Sequence, residues 1–292
     1  MKSKNELKRI LFIFSILLLS LSACAQQQDI KLIVRGDDMG FSHAANDAII
    51  DCWKNGIMST VEIMVAVPWF PEAVKLCNEN PDLDVGIHLA LTSEWSNIKW
   101  RPLTGKSSIT DEDGYFFPMI WPNKNYGEDQ ALKGADWKIE DIEKELRAQI
   151  ETAMRHIPRI SHFTGHMGCT GMDEEVKALS KKLAVEYGIA IFPEDMGVKR
   201  ASYQGEKATA EQKIASFINM LNGLEAGNTY LFVDHPGYDV EELRGIHHIG
   251  YEDVAVDRAG VTICWTSEQV KKVIAEKGIK LISYADLKKE VK

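Results

Sequence analysis

The stretch IKLIVRGDDMGFS, Ile30 to Ser42, decides how this chain is read. Its apolar start has the composition of a buried strand, and it ends on adjacent carboxylates, Asp37 and Asp38, before Gly40 turns the chain. Two like charges side by side repel, and the end of an apolar strand solvates them poorly. A positive group belongs there, and the rest of the chain should supply its other partners.

Working outward, strand-like runs alternate with helical patterns. Lys31–Gly36, Ser59–Ala66, Asp84–Leu91, Arg159–Thr164, Ile189–Pro193, Thr229–Val233, Gly260–Cys264 and Lys280–Ser283 read as strands. Ala44–Asn55, Pro71–Asn78, Trp137–Ile157, Met172–Tyr187 and Ser267–Lys277 read as helices. In the third of these, Ile139, Ile142, Leu146, Ile150 and Met154 step by three or four, one apolar face of a 3.6-residue period. The alternation predicts an α/β fold with a parallel sheet, closed as a barrel or open and doubly wound. A length of 292 residues and a hydrophobic content of 45% suit a single α/β barrel domain. No repeat, linker or low-complexity segment divides residues 24–292.

The formal net charge of -9, with no basic cluster beyond the N-terminus, excludes nucleic acid as a partner class. The N-terminus is a separate object. Lys2, Lys4, Lys8 and Arg9 precede an apolar run, Ile10–Leu21, too short to span a bilayer. It closes on LSAC, Leu21 to Cys24, followed by a polar AQQQD. This pattern resembles a bacterial lipoprotein signal with Cys24 as the lipidated residue, so residues 1–23 are expected to be removed. The mature chain would then carry about -12. The expected location is a membrane surface, periplasmic or cell-surface, reached through a lipid anchor. The remaining cysteines, Cys52, Cys77, Cys169 and Cys264, form no CxxC pair; Cys52 and Cys77 read as small core residues and Cys169 as a bystander near the site.

A long non-periodic stretch, Ser93 to Asp136, carries Trp95, Trp100, Tyr115, Phe116, Phe117, Trp121 and Tyr126. Such insertions are often binding loops, and these rings could stack on sugar faces or simply pack the loop. Three histidine segments add to the aspartate pair. In DVGIHLALT, His88 has the opposite parity to Val85, Ile87, Leu89 and Leu91, with small neighbours Gly86 and Ala90. In RISHFTGHMG, His162 and His166 lie where a strand runs into a glycine-rich turn. In YLFVDHPG a strand ends on Asp234 and His235, with Pro236 keeping His235 extended. Asp37, Asp38, His88, His162, His166 and His235 thus all fall near C-terminal strand ends, the catalytic end of a β/α barrel. One carboxylate plus two imidazoles is a common set for a divalent metal with open positions.

These blocks (DDMGFSHAANDAI, GIHLALT, SHFTGH, DHPG and the C-terminal DRAGVTICWTSEQVKKVIAEKGIKLISYADL) resemble the YdjC-like carbohydrate deacetylases, in family order and over most of the mature chain. The resemblance implies a distorted, parallel-stranded β/α barrel with a metal site at its C-terminal strand ends, and removal of N-acetyl groups from amino sugars. By position it implies Asp38, His88 and His166 as ligands and Asp37 as the base. The chain departs from the family at Thr164, often an aspartate, and at Met167 and Gly168, where a further histidine-rich run is usual. Phe192 to Asn228 matches poorly.

In the mechanism so expected, Asp37 takes a proton from an activated water and His235 protonates the leaving amine, with His162 as the second candidate acid. Arg258 would orient Asp37 or bind substrate. Ser42 and Asn46 would brace the loop or touch substrate, Ser42 alternatively as a helix cap. The ion is expected to be zinc or magnesium, with nickel, cobalt and manganese also compatible. The partner is an acetylated sugar, and a homo-oligomer is open. The same residues would serve an O-acetyl esterase, while a non-catalytic lipid-anchored glycan-binding protein would keep the rings without needing the aspartates and histidines together.

Overall fold

A computed structural model of the chain describes residues 29–290. Met1–Ala23 and Cys24, the expected signal and lipidation site, lie outside the described residues. The alternation of strands and helices holds. Strand β1 is Lys31–Met39, followed by helix α1, His43–Lys54; β2, Thr60–Ile63; α2, Phe70–Glu79; and β3, Asp84–Leu89. After the long loop come α3, Ile139–His156; β4, His162–Gly165; and α4, Glu174–Glu186. Then follow β5, Lys199–Arg200; α5, Ala210–Asn222; β6, Thr229–Asp234; and α6, Glu241–Arg244. The chain ends in α7, Val254–Thr266; α8, Glu268–Glu276; β7, Lys280–Leu281; and α9, Tyr284–Glu290.

Every strand pair is parallel, in the order β4-β3-β2-β1-β6-β5, with β7 on the first residues of β1. The sheet curls so that side chains of β1, β2 and β4 meet on its inner face. Among the described residues β4 and β5 do not pair. A cavity of about 280 Å³ fills that seam, bordered by Thr164, Gly165, Arg200 and Leu231. The barrel is therefore distorted into an open, curled sheet.

Two expected strands are corrected. Gly260–Cys264 lies inside α7, where Val254, Ala255, Arg258, Val261, Thr262 and Trp265 are buried at three-and-four spacing. The β-branched run GVTIC looks like a strand, but packing of that helical face overrides propensity. Ile189–Pro193 forms no strand: Ile189 N–H donates to the Ala184 carbonyl, closing α4, and the pairing segment is the short β5.

Helix α3 buries Ile142, Leu146, Ile150 and Ala153, as its periodicity predicts, together with Glu145 and Gln149. Buried polar groups need partners. Gln149 brackets the end of β3, bonding Ala90 N–H at 3.0 Å and its carbonyl at 2.8 Å. Glu145 accepts from the Leu103 and Thr104 amides and the Thr104 hydroxyl, at 3.1, 3.0 and 2.7 Å. The helix thereby anchors both β3 and the long loop beside it. Cys52, Cys77, Cys169 and Cys264 are buried and unbridged. Among the described residues no helix is long and apolar enough to cross a membrane.

Candidate metal centre and active site

A regular strand would point Asp37 and Asp38 to opposite faces. At Asp38 the backbone instead turns left-handed, with φ +68°, and the pairing of β1 with β2 shifts register between Gly36 and Met39. Such a conformation costs of order 1 kcal/mol outside glycine and is least unfavourable for Asp and Asn. It brings both carboxylates to one side. His88 Nε2 is 3.8 Å from Asp37 Oδ2 and 3.5 Å from Asp38 Oδ1. His166, just past β4, places Nδ1 3.2 Å from Asp38 Oδ1. Asp38, His88 and His166 each offer a donor atom within 4.8 Å of the others, and all three are buried.

Asp38 Oδ1 is buried and makes no well-formed hydrogen bond. An ionised oxygen in that position, faced by two imidazole nitrogens, fits a divalent cation. The surroundings orient the donors. Thr164 Oγ1 lies 2.8 Å from His88 Nδ1, turning Nε2 toward the carboxylates. Glu94 holds His166 Nε2 at 3.1 and 3.2 Å. Cys169 Sγ donates to the Leu89 carbonyl at 3.0 Å and stands outside the donor set.

The two aspartates have separate counter-charges. Arg35 grips Asp37 with Nε at 2.7 Å and Nη2 at 2.9 Å, a bidentate pair. Burial would push Asp37 up, but Arg35, then His88 and His235, hold it below the ordinary carboxylate range. Arg258 donates from Nη2 to Asp38 Oδ2 at 2.7 Å, so it serves Asp38 and leaves Asp37 to Arg35. Asp38 is likewise opposed by burial and carried well below its ordinary value by His235, Arg258 and His166. Burial lowers the His88 pKa, against the pull of Asp37, favouring the neutral ring that a metal requires. For His166, burial is outweighed by Glu94 and Asp38, which raise its pKa to about 10. A metal must displace that proton.

His235 also reaches the site, its Nε2 3.8 Å from Asp38 Oδ2 and its Nδ1 3.6 Å from Asp234 Oδ1. Against the effect of burial, Asp38 and Asp234 raise its pKa, keeping a proton available. His162 is elsewhere: it is fully buried against Glu62 at 2.5 Å. Ser42 and Asn46 are buried braces. Ser42 Oγ caps α1, accepting from Ala45 N–H at 3.1 Å. Asn46 accepts from Gly40 N–H at 2.7 Å and donates to Glu72 at 2.8 Å, fixing the turn after the aspartates.

The rings of the long loop divide. Trp95 and Trp100 are buried, Trp95 against Phe41 and under the Arg258 guanidinium, Trp100 donating its indole N–H to the Thr92 carbonyl at 2.8 Å. Trp121 is 47% exposed and lies against Gly168, two residues beyond His166. Trp121→Ala is therefore expected to raise KM for the substrate about tenfold at unchanged stability. Trp95→Ala and Trp100→Ala should each cost roughly 3–5 kcal/mol of stability. Denaturation curves and steady-state kinetics separate the two; a KM effect confined to Trp95 or Trp100 would reverse the assignment.

Glu94 and Arg35 were not among the residues singled out from the sequence. Both sit beside motif residues, in LTSEW and VRGDD, and that adjacency is the signal that could have found them.

The family model described as "YdjC-like protein" matches residues 31–276. The chain belongs to the YdjC-like family. It is 29% identical over 266 residues to a carbohydrate deacetylase of Listeria monocytogenes serotype 4a (strain HCC23), covering 88% of this chain and 100% of the relative. It is 27% identical over 270 residues to carbohydrate deacetylase 2 of Listeria innocua serovar 6a, covering 89% and 100%. Among solved structures, an Enterococcus faecalis V583 protein named for cellobiose-phosphate cleavage superposes with a TM-score of 0.68 at 22% identity, covering 89% of this chain and 99% of that one. That likeness is one of fold. Within this YdjC-like chain, Thr164 puts a hydroxyl behind the imidazole of His88.

Proposed function

We propose that this chain is a metal-dependent hydrolase that removes N-acetyl groups from amino sugars or their oligosaccharides. The observation that carries the reading is the convergence of Asp38, His88 and His166 around the unsatisfied Asp38 Oδ1, with Asp37 beside it on its own arginine. Membership of a family with curated carbohydrate deacetylases supports it. Asp38, His88 and His166 would hold one divalent ion, of the zinc or magnesium kind, which supplies Lewis acidity toward a carbonyl and a nearby water.

The rest is done by the chain itself. Asp37, kept ionised by Arg35, accepts the proton of the attacking water. His235, kept protonated between Asp38 and Asp234, delivers one to the departing nitrogen, because an amine leaves poorly as an anion. Trp121 offers the sugar an exposed face.

The test is acetate release from a panel of N- and O-acetylated sugars, with and without chelator. Chelator-sensitive release from an N-acetyl sugar is expected. Release from O-acetyl sugars alone would make the protein an esterase, and no release from any would leave a binding protein.

We further propose, from LSAC at Leu21–Cys24 and the polar segment after it, that the enzyme works at a membrane surface, lipid-anchored through Cys24. Cys24→Ala should move the protein from the detergent phase to the aqueous phase. A wild-type protein that starts beyond residue 24 and partitions into water would end this proposal.

A further inference from the structure

Asp37 is held in turn by a chain of buried polar side chains inside the curled sheet. Glu62 on β2, Gly86 on β3 and His162 on β4 are in register on three adjacent strands. A Cβ on Gly86 would stand 2.5 Å from His162 Nε2 and 2.7 Å from Glu62 Oε2, so the missing side chain is what lets the two groups meet. His162 Nε2 and Glu62 Oε1 are 2.5 Å apart. On its other side, His162 Nδ1 is 2.7 Å from Ser161 Oγ, which is 2.6 Å from Asp84 Oδ1. Ser161 has one hydroxyl proton and the Asp84 carboxylate only accepts. Ser161 therefore donates to Asp84 and accepts from His162 Nδ1.

Tyr284, opening α9, lies flat on His162, with ring centroids 3.7 Å apart and planes 5° from parallel. Its hydroxyl accepts from Arg35 Nη1 at 2.8 Å. Arg35 Nε, besides gripping Asp37, is 3.9 Å from Glu62 Oε1. An arginine attached to Asp37 alone would swing with it. This one is anchored on its far side by Tyr284, which the His162–Glu62 pair keeps in place.

We propose that Glu62, His162 and Tyr284 are positioning residues that fix the Arg35 guanidinium and, through it, the direction in which the Asp37 carboxylate points. The inference rests on the reading of Asp37 as the base. Misplacing a reacting group by about 1 Å can cost two orders of magnitude in rate, so a partial loosening is a kcat effect of about tenfold.

Tyr284→Phe keeps the stacking and removes only the anchor. It is expected to lower kcat about tenfold with KM and metal stoichiometry unchanged. In an Arg35→Lys background the same change should add less than about twofold, because it acts through Arg35. Glu62→Gln, of the same shape, should give a smaller fall with the same pattern. A readout independent of turnover is the NMR signal of the Arg35 Nε proton, whose exchange with water should accelerate at least about tenfold in Tyr284→Phe. The proposal is overturned if Tyr284→Phe leaves both kcat and that exchange rate within twofold of wild type. Equal falls in both backgrounds, or loss of metal, would also overturn it. If the wild type releases no acetate at all, the proposed function fails, and the proton exchange still decides whether this network fixes Arg35.

Discussion

Asp37→Asn is expected to bind its metal normally and lose kcat by roughly 10²–10⁴-fold, the usual range for a general base. The amide has nearly the same shape, and Asp38, His88 and His166 remain in place around Asp38 Oδ1. What disappears is the proposed acceptor for the water proton and, as an observed contact, the negative partner of the bidentate Arg35 pair. Asp38→Asn should fail differently. It takes a charge from the ligand set and from Arg258, which bonds Asp38 Oδ2 at 2.7 Å. Metal and activity should fall together, and excess metal should restore part of the activity. Metal content and kcat measured on both variants decide the matter. If Asp37→Asn loses the metal while Asp38→Asn keeps it, the roles are reversed; if both keep metal and full activity, the aspartates are structural.

The second large effect concerns the leaving group. His235→Asn should lower kcat on an N-acetyl sugar by roughly 10²–10⁴-fold, since the amine needs a proton as it departs. On an aryl acetate, whose phenolate leaves unprotonated, the same variant should lose less than about tenfold. The ratio of the two losses is the measurement. Equal losses would give His235 a different task, such as supporting Asp38, from which its Nε2 is 3.8 Å away.

The parts of the site that the sequence makes legible are those tied to the ends of parallel strands. Asp37, Asp38, His88, His166 and His235 each follow an apolar run, and a parallel α/β sheet gathers such ends on one rim. Partners reached through space were illegible for the same physical reason in reverse. Glu62 is a common residue type with no periodicity to mark it, and only the curl of the sheet puts it against His162. From the sequence Arg258 either orients Asp37 or binds substrate; α7 carries it to Asp38, and Arg35, two residues from Asp37 on the same strand, is the arginine that pairs with Asp37. The aromatic loop shows another limit. Composition places seven rings in it, but whether a ring faces solvent or Phe41 depends on how α3 anchors the loop, which no local pattern records. GVTIC in α7 looked like a strand because β-branched residues carry the strand signal even where a helix buries them.

The left-handed backbone at Asp38 restricts which sequences can occupy this position. Two independent filters act on the one residue. The conformation, φ +68°, admits Gly, Asn and Asp with least strain and penalises β-branched and bulky residues most. The buried space around Oδ1 and the Arg258 guanidinium favours an anion with a short reach, so Gly and Asn meet this demand poorly. Aspartate alone meets both well. A randomised library at this codon, sorted only for folded protein, would therefore keep a wider alphabet than one sorted for bound metal. The difference between the two alphabets separates what the backbone demands of Asp38 from what the metal chemistry demands.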